Sequence, residues 1–349
     1  MTLPPGSRAM VILRDVQRSD LPALKRLGAE LDSVNLPDDE RVLEQLIDRS
    51  IRSFSNRIRN PLERSYLFVL EDPARAVILG TSMIIAQHGT LEAPHVYLEV
   101  SQREHYSQTI DKHFRHTVLS IGYHYEGPTE IGGLIVGKAH RGQGKPGKQL
   151  SYVRFLFMAM HRTRFRDRVL AELLPPLLPD GRSLLWEALG RKFTGLTYQE
   201  ADRLSRQNKE FIKELFPQSD IYATLFPPRV QRAIGRVGAE TEPVQRLLER
   251  IGFRYVERID PFDGGPHFEA ALADITLVRQ YRVARLAEAP LNVDFEEQLV
   301  AVQHATGKNR FRAIRTPCRI DGESAALPAE ARRLLGARPG DRLHLIPFD

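Results

Sequence analysis

A glycine-rich segment in the middle of the chain has the composition of a phosphate-binding turn. The residues His140–Leu150 read HRGQGKPGKQL and contain three glycines, three cationic residues and one proline. The apolar run Ile131–Val136 precedes this segment, and LSYVRFLFMAM follows it with apolar residues at helical spacing. A turn between a strand and a helix directs backbone N–H groups and the positive end of the helix dipole at an anion. The sequence therefore predicts a phosphate site, which could serve a nucleoside triphosphate, a dinucleotide or another carrier.

Two nucleotide-binding patterns match the segment only in part. From Gly142 to Lys148 the spacing is G-x-x-x-x-G-K, but Gln149 stands where a P-loop needs Ser or Thr for magnesium. No later apolar strand ends in the Asp that would be the second metal ligand. Gly142, Gly144 and Gly147 also have the G-x-G-x-x-G spacing, but the acidic residue expected about 20 positions later is unconvincing. A turn whose glycines serve geometry alone is a third alternative.

The composition is that of an ordinary globular protein with a basic surface. Of its 349 residues, 42% are hydrophobic and 27% are charged, and the net charge is +6. The basic residues are scattered along the chain, which favours a solvated surface over a nucleic-acid site. We therefore expect small anionic substrates and no nucleic-acid partner.

The cysteine count and the distribution of apolar residues predict the compartment. Cys318 is the single cysteine, which excludes an internal disulfide and a cysteine-based metal site, and we expect no metal. The leading MTLPPGSRA lacks the apolar core of a signal peptide, and no apolar stretch has the length of a membrane span. We expect a cytoplasmic protein with a disordered leader over residues 1–9 and no membrane partner.

The order of the predicted elements favours an α/β or α+β fold, with a mixed sheet flanked by helices. The segment MVILRDV predicts a first strand, two amphipathic helices follow, and SYLFVLED and AVILGTSMIIAQ predict an antiparallel pair. Residues 94–127 are polar and rich in His and Tyr, and they predict strands only at VYLEV and TVLSIGY. Beyond the glycine segment we expect a strand at RVLAELL and one helix at RSLLWEALGRKF.

The end of the chain predicts a small separate unit. Residues 285–349 contain strands at FRAIRTPCRI and RLHLIPF around a short helix at LPAEARRLLG. We therefore divide the chain into the leader, a main domain over residues 10–284 with a helical insertion around 194–240, and a β-rich unit over residues 285–349.

The glycine segment also resembles a third type of loop. Arg141-Gly142-Gln143-Gly144 before an apolar helix is similar to the R-x-x-G-x-G/A loop of the GNAT N-acetyltransferase superfamily, which binds the pyrophosphate of coenzyme A. Pro146 replaces the last Gly or Ala, and the first turn of a helix tolerates proline. VQRLLERIGFRYVE resembles the helix, Gly-Phe and strand that close the same fold. The resemblance implies a GNAT-like fold and a set of coenzyme-binding residues, namely Leu134, Ile135, Val136, Arg141, Gly142, Gln143, Gly144, Lys145 and Gly147.

A longer resemblance is to the arginine N-succinyltransferases of bacterial arginine catabolism. It rests on MVILRDVQRSDLPAL, RFLFMAMHRTRFRDRVLAEL, LWEALGRKF, KEFIKELFPQSDIY, LLERIGFRYVERIDPFDGGPHFEA and RPGDRLHLIPF, which together span nearly the whole chain. The resemblance implies transfer of succinyl from succinyl-coenzyme A to the α-amine of arginine, with no permanently bound cofactor. We expect a homo-oligomer, or a hetero-oligomer with a paralogous subunit.

The same resemblance implies roles for individual residues. Leu134 matches the family's contact with the acyl-coenzyme, and its N–H could serve an oxyanion. Glu172 could deprotonate the amine or pair with the guanidinium of the substrate, and Glu130 and Tyr222 also match.

Two places depart from the family's pattern. The proton-donor histidine of the family falls on Gly238 in this chain, and the polar N-D-x-T-G segment before the central strand reads YHYEG over residues 123–127. His124 or Glu126 could take over acid–base or recognition work. The catalytic candidates are therefore Glu172, Glu130 and His124. Two alternatives stay open, namely an acyltransferase with a different amine or acyl group, and a non-catalytic subunit that binds acyl-coenzyme A.

Overall fold

The computed structural model contains strands and helices that alternate along the chain. It describes residues 10–31, 39–91, 93–142, 144–205, 210–288, 293–307 and 309–348. The strands are β1 (Ile12–Asp15), β2 (Ser65–Asp72), β3 (Val77–Ile85), β4 (His95–Ser107), β5 (Lys112–His124), β6 (Thr129–Val136), β7 (Arg168–Glu172), β8 (Ile221–Tyr222), β9 (Arg254–Ile259), β10 (Pro266–Ala271), β11 (Arg282–Leu286), β12 (Phe295–Gln303), β13 (Phe311–Asp321), β14 (Ser324–Ala326) and β15 (Arg342–Pro347).

The helices are α1 (Leu21–Leu31), α2 (Glu40–Phe54), α3 (Pro146–Met160), α4 (Leu184–Ala188), α5 (Gly190–Thr194), α6 (Tyr198–Ser205), α7 (Glu210–Leu215), α8 (Pro228–Ala233), α9 (Glu242–Arg250), α10 (Thr276–Arg279) and α11 (Ala329–Leu335). No helix within the described ranges is long and apolar enough to cross a membrane. The mixed α/β fold class predicted from the sequence is confirmed.

Contacts divide the chain into two compact units, and neither is a continuous stretch of sequence. The first unit falls within Met1–Ala86, Ile131–Phe165 and Ala273–Asp349. The second falls within Gln87–Glu130 and Arg166–Leu272. Sequence patterns report local structure, so they could not indicate that the chain leaves a unit and returns to it.

In the first unit, β1, β2 and β3 form an antiparallel ladder covered by α1, α2 and α3. β2 pairs with β1 and with β3, and β1 pairs on its other side with β13. Aromatic side chains fill the space beneath the helices, and the ring centroids of Phe54 and Phe157 are 5.2 Å apart. The helix α3 is buried along most of its length because apolar residues occupy all of its faces, which is the pattern of an interior helix.

The last strands of the first unit close into a small barrel. The order is β12, β15, β11, β14, β13, and β13 pairs back to β12. Alternate residues point inward, so Val300 and Val302 of β12 and Leu343 and Leu345 of β15 share one apolar core with α11. β11 belongs to this barrel, so the boundary expected at residues 284 and 285 falls within a strand.

The second unit contains an antiparallel sheet in the order β7, β10, β9, β4, β5, β8. The first residues of β6, Thr129 and Glu130, pair in parallel with β7. The helices α4 to α8 cover one face of this sheet around Trp186. The indole of Trp186 stacks on the Phe262 ring, with the ring centroids 5.3 Å apart. The helix α9 ends before Gly252, which has a φ of +110°, and the buried Phe253 leads into β9 as the sequence predicts.

One local prediction is confirmed with bounds that are too short, and another was wrong. VYLEV and TVLSIGY are strands as predicted, but they are parts of β4 and β5, two strands of 13 residues each, because the polar residues beyond them pair in one continuous antiparallel ladder. The helix expected at RSLLWEALGRKF is broken at Leu189 into α4 and α5. A Cβ at Gly190 would lie 2.3 Å from the Trp186 ring, so the backbone there packs directly on the indole.

Candidate active site

The turn after β6 presents free backbone donors. Gly142 and Gly144 have φ values of +94° and +74°, and Lys145 is also left-handed at +57°. The N–H groups of both glycines make no hydrogen bond to another described residue. A Cβ at either glycine would meet no atom within 4 Å, so the turn is open on that side. The helix α3 begins at Pro146, whose missing N–H costs no helical hydrogen bond.

Side chains around this turn hold its carbonyl groups and add positive charge. Gln149 Nε2 donates to Gly144 O at 2.9 Å, and Arg141 Nε donates to Val136 O at 3.2 Å. A Cβ at Gly147 would touch Val136 Cγ2 at 3.8 Å, so this glycine lies close to the end of β6. Gln143, also predicted to bind the coenzyme, lies outside the described residues.

Gly133 interrupts the regular conformation of β6. Its φ is +56°, one residue before Leu134. The buried Thr81 Oγ1 donates to Gly133 O at 3.0 Å, and Arg154 Nη1 donates to Gly132 O at 3.5 Å. Leu134 and Val136 are half-buried, and Ile135 between them is buried. The backbone therefore departs from regular strand geometry directly before Leu134.

The second unit contains a cluster of histidines and carboxylates around Glu172, the last residue of β7. His95 Nε2 lies 2.9 Å from Glu172 Oε1, and His267 Nε2 lies 3.5 Å from the same oxygen. His267 is the direct partner of Glu172 in the β7–β10 ladder. The rings of His95 and His267 stack with centroids 5.3 Å apart. Three strands therefore bring one carboxylate and two imidazoles together.

A second carboxylate–histidine pair borders the first. His88 Nδ1 lies 2.5 Å from Glu130 Oε2. The side chains of His88, Glu130 and Glu172 are 20%, 15% and 27% exposed, whereas those of His95 and His267 are 2% and 1% exposed. The two carboxylates and His88 therefore reach solvent, and two buried imidazoles lie behind them.

The third predicted catalytic residue, His124, has a different set of contacts. Its Nε2 accepts a hydrogen bond from Arg258 Nη1 at 3.3 Å, and its ring is 5.7 Å from the His95 ring. Burial, and next the charge of Arg258, lower the pKa of His124. This histidine therefore holds Arg258, while Glu172 and Glu130 border the exposed side of the cluster.

Burial and hydrogen bonding fix the charges in the cluster. Burial lowers the pKa of His95 well below its ordinary value and also lowers that of His267. Burial alone would raise the pKa of Glu172, but the hydrogen bond from His95 and the neighbouring imidazoles outweigh it, and the pKa lies well below the usual range. At neutral pH Glu172 is therefore ionised and the two buried histidines are neutral. Nδ1 of His95 and both ring nitrogens of His267 lack a hydrogen-bond partner in the described structure.

The cluster also has the composition of a divalent-cation site. His88, His95 and Glu172 each offer one ligand atom, and these atoms lie within 4.8 Å of one another. Nitrogen and carboxylate ligands suit zinc. The absence of a metal, expected from the sequence, stays a prediction.

The structure explains why position 238 carries no side chain. Gly238 N donates to Leu174 O at 2.8 Å, and a Cβ at Gly238 would lie 2.8 Å from Pro175 O. A histidine does not fit there unless the backbone moves.

The other two candidates lie outside the cluster. The exposed Glu126 pairs with Arg166, and Tyr222 Oη contacts His105 on the far part of β4.

The sequence analysis missed His88, His95 and His267. His267 and Glu269 are the two polar residues of the strand PHFEAA, whose first five residues are all buried. Polar residues within such a short, otherwise apolar run are a signal for inward-facing groups. His95 precedes the predicted strand VYLEV and was not included in it. The pairing of these two residues with Glu172 depends on long-range strand order, which no local pattern contains.

These elements define a class of protein. A strand interrupted at Gly133, an open glycine turn and a following helix succeed one another in a mixed α/β fold, and the fold class predicted from the sequence is confirmed. The class is that of the acyltransferases, which take an acyl-coenzyme A as co-substrate.

Comparisons with known proteins identify the family. The chain belongs to the arginine N-succinyltransferase family, because residues 11–277 match the family model "Arginine N-succinyltransferase beta subunit" and residues 279–347 match the model of its C-terminal domain. It is 32% identical over 341 residues to the arginine N-succinyltransferases of Escherichia coli (strain 55989 / EAEC) and Shigella boydii serotype 4 (strain Sb227), with 97% of each chain covered.

A solved structure gives the same result for the fold. The arginine/ornithine succinyltransferase subunit AI from Pseudomonas aeruginosa matches with a TM-score of 0.82 and 31% identity. The match covers 97% of this chain and 99% of that one. The resemblance stated from the sequence is therefore confirmed over nearly the whole chain.

Proposed function

We propose that this chain transfers the succinyl group of succinyl-coenzyme A to the α-amine of L-arginine, giving N2-succinylarginine and free coenzyme A. Membership of the family supports this reaction. The proposed mechanism depends on the contact between Glu172 and His95. Glu172, at the end of β7, is held ionised by His95 at 2.9 Å and is partly exposed to solvent. An ionised carboxylate at the surface of a buried imidazole pair can take a proton from the amine of a substrate.

The glycine turn binds the diphosphate of the coenzyme. The N–H groups of Gly142 and Gly144, which bond to no other residue in the described ranges, and the start of α3 favour a doubly charged anion without a metal. Arg141 and Lys145, both exposed, add positive charge. Leu134, next to the left-handed Gly133, offers its N–H to the oxyanion that forms on the thioester carbonyl.

The carboxylates bind and activate the acceptor. Arginine carries a guanidinium and an α-ammonium group, and Glu130 and Glu172 supply the opposite charge. Glu172 takes one proton from the ammonium group, the neutral nitrogen attacks the thioester carbon, and the C–S bond breaks. The coenzyme leaves as a thiolate and takes up the second proton, which the nitrogen loses as the tetrahedral intermediate collapses, and the proton on Glu172 is released to solvent.

The test is release of free thiol from succinyl-coenzyme A in the presence of arginine, followed with a thiol reagent. The protein itself gives little background, because its single cysteine, Cys318, is fully buried and burial raises its pKa to about 12. Release that requires both substrates, with succinylarginine found by mass spectrometry, supports the proposal. If the chain binds the coenzyme but no amine causes release of free thiol, the chain is a non-catalytic subunit instead.

Ornithine is the second candidate acceptor, because the Pseudomonas relative is named for arginine and ornithine. Ornithine carries a primary amine where arginine carries a guanidinium, so a comparison of kcat/KM for the two acceptors tests the role of the side chain. Acetyl-coenzyme A in the same assay tests the acyl group. A higher kcat/KM with either replacement would change the assignment to a different amine or acyl donor.

We also propose that the chain works in the bacterial cytoplasm as an oligomer, with itself or with a paralogous subunit. The far end of the β4–β5 hairpin supports association, because Tyr106, Ile110 and Phe114 are at least half exposed there. Light scattering of the purified chain decides the point, since a monomer at all concentrations would contradict self-association.

A further inference from the structure

Two histidines and one carboxylate from three separate segments of the second unit converge on one point. His88 follows β3, His95 begins β4 and Glu172 ends β7. Each of them offers one ligand atom, and these three atoms lie within 4.8 Å of one another. His95 and Glu172 are 77 positions apart in the sequence, so the fold alone brings them together. Two of the three ligands are imidazoles, which distinguishes the group from an exposed cluster of carboxylates.

The backbone fixes the positions from which these side chains reach each other. His88 N donates to Pro128 O at 2.8 Å, and a Cβ at Gly127 would lie 2.0 Å from His88 O, so the chain is closely packed around this histidine. His95 lies in the antiparallel ladder of β4 with β5, and Glu172 lies in that of β7 with β10. Ligands held on strands in this way lose little conformational freedom when an ion binds.

The spacing of the ligand atoms suits a tetrahedral ion. Zinc bound to nitrogen and oxygen at about 2.0–2.2 Å holds its ligand atoms roughly 3.4 Å apart. His95 Nε2 and Glu172 Oε1 are 2.9 Å apart, and the widest separation in the group has to close by no more than about 1.4 Å. The partly exposed side chains of His88 and Glu172 can make this small movement, and they also give an ion access from solvent.

The groups around these ligands have the arrangement of the outer shell of a zinc site. A histidine that binds a metal through one ring nitrogen usually gives the other to a carboxylate, and Glu130 Oε2 contacts Nδ1 of His88. A carboxylate that binds a metal is in turn hydrogen-bonded. His267 Nε2 lies 3.5 Å from Glu172 Oε1, is buried, and has no hydrogen-bond partner within the described residues. A buried nitrogen without a partner costs free energy, and a carboxylate fixed by an ion can accept its hydrogen bond.

We propose that His88, His95 and Glu172 bind one Zn²⁺. Glu130 and His267 hold two of these ligands from outside. Imidazole and carboxylate ligands suit zinc, whereas Mg²⁺ and Ca²⁺ prefer oxygen ligands alone. The expectation of no metal rested on the single cysteine, and this ligand set contains no cysteine. Three protein ligands leave one tetrahedral position open.

Zinc at this site excludes the acceptor, a consequence that rests on the proposed function. Glu172 is the base of the proposed reaction, and a carboxylate oxygen that binds zinc cannot also take a proton from the amine. Arginine enters with two positively charged groups, which a doubly charged ion repels. The glycine turn that binds the coenzyme contains none of the three ligands. Zinc is therefore a reversible inhibitor that competes with arginine and not with succinyl-coenzyme A.

The first test is calorimetric titration of Zn²⁺ into the full chain, which is freed of metal with a chelator and contains no substrate. We expect one zinc per chain, and no binding of Mg²⁺ at the same concentrations. Glu130→Gln should weaken zinc binding about 10- to 100-fold, and His88→Gln at least as much because it removes a ligand. His113→Gln is the matched control, since His113 lies near Glu104 in an exposed histidine–carboxylate pair, and its zinc affinity should equal that of the wild type.

The second test is inhibition of succinylarginine formation. The product is counted by mass spectrometry because the free thiol of coenzyme A binds zinc, and a metal buffer holds free zinc constant because arginine binds it as well. Zinc should raise the apparent KM for arginine and leave kcat and the KM for succinyl-coenzyme A unchanged. A KM for arginine that does not respond to zinc would overturn the exclusion of the acceptor.

The binding data separate this inference from the proposed function. Equal zinc affinity in the wild type and His88→Gln would overturn the site, and so would a loss of affinity in His113→Gln. A thermal melt identifies a variant that does not fold, and Glu130→Gln then makes the comparison in its place. If zinc binds as expected but no amine is succinylated, the proposed function fails and the zinc site stands. If arginine is succinylated while zinc binds the wild type no more tightly than His88→Gln, the zinc site fails and the proposed function stands.

Discussion

His88 and His95 lie edge to face with their ring centroids 4.4 Å apart, and each contacts a different carboxylate. His88 contacts Glu130 on β6, and His95 contacts Glu172 on β7. These two strands are parallel neighbours where they pair, at Glu130 and Leu170. The edge of the sheet thus carries two carboxylates whose imidazole partners touch each other. A proton or a cation that reaches one carboxylate therefore changes the electrostatic energy of the other.

Glu172→Gln should remove the base and keep the shape of the site. Glutamine can still accept the hydrogen bond from His95, so we expect the fold and the coenzyme affinity to persist. We expect kcat for arginine to fall on the order of 10²- to 10⁴-fold. Steady-state kinetics together with calorimetric titration of coenzyme A measure both quantities. Glu99→Gln, on an exposed carboxylate of β4, should change neither, and wild-type turnover in Glu172→Gln would remove this residue from the mechanism.

Gly144→Glu should weaken the binding of coenzyme A by at least about tenfold, which is about 1.4 kcal/mol. The new carboxylate would project into the open side of the turn and repel the diphosphate. Its matched control is Gly340→Glu, because Gly340 has a similar positive φ of +84° and equally open surroundings in the C-terminal barrel. Arg141→Ala should also lower the affinity for coenzyme A. Equal dissociation constants for Gly144→Glu and Gly340→Glu would refute the assignment of the turn.

The glycine turn could be predicted from sequence because its chemistry is local. Strand, turn and helix follow one another within about thirty residues, and each has its own signature in composition and spacing. Pro146 at the first helical position was read correctly for the same reason. The positive φ at Gly133 was not foreseen, and the hydrogen bond that its carbonyl accepts comes from Thr81, more than fifty residues earlier in the chain.

The histidine cluster could not be predicted in full because it depends on strand order. Glu172 and Glu130 were found through the family resemblance, and the structure brings both to one cluster. His95 and His267 come from strands that the chain reaches 77 residues before and 95 residues after Glu172. Only the antiparallel pairing of β7 with β10 makes Glu172 and His267 neighbours. Local periodicity contains no information on that pairing.

Gly238→Ala should destabilise the fold, because the added Cβ would lie 2.8 Å from Pro175 O and the backbone must shift. We expect a loss of about 1–3 kcal/mol, which is typical of overpacking. Chemical denaturation measures it, and Gly147→Ala is the control, since a Cβ there meets Val136 at an ordinary 3.8 Å. Gly238→His should lose more stability and gain no activity. A Gly238→His variant that is stable and faster than the wild type would contradict the structural account of this position.

The stability of the first unit should fall in mild acid because of His161. Burial is the main cause that lowers the pKa of His161 to about 4, and its Nε2 contacts Gln303 Oε1 at 2.7 Å. An unfolded histidine has a pKa near about 6.5, so between these two values the unfolded chain binds a proton that the folded chain does not. The stabilisation is therefore complete above about pH 6.5 and is lost as the pH falls toward 4.

His161→Gln tests this dependence because glutamine does not titrate and can keep the contact with Gln303. The free energy of unfolding, from urea titrations at several pH values between 7 and 4.5, should fall less steeply in the variant than in the wild type. The reason is that each pKa unit of difference between the two states is worth about 1.4 kcal/mol. His113→Gln on the exposed end of β5 should leave the slope of the wild type unchanged. Parallel curves for His161→Gln and the wild type would mean that the folded protein admits the proton at His161 as easily as the unfolded chain does.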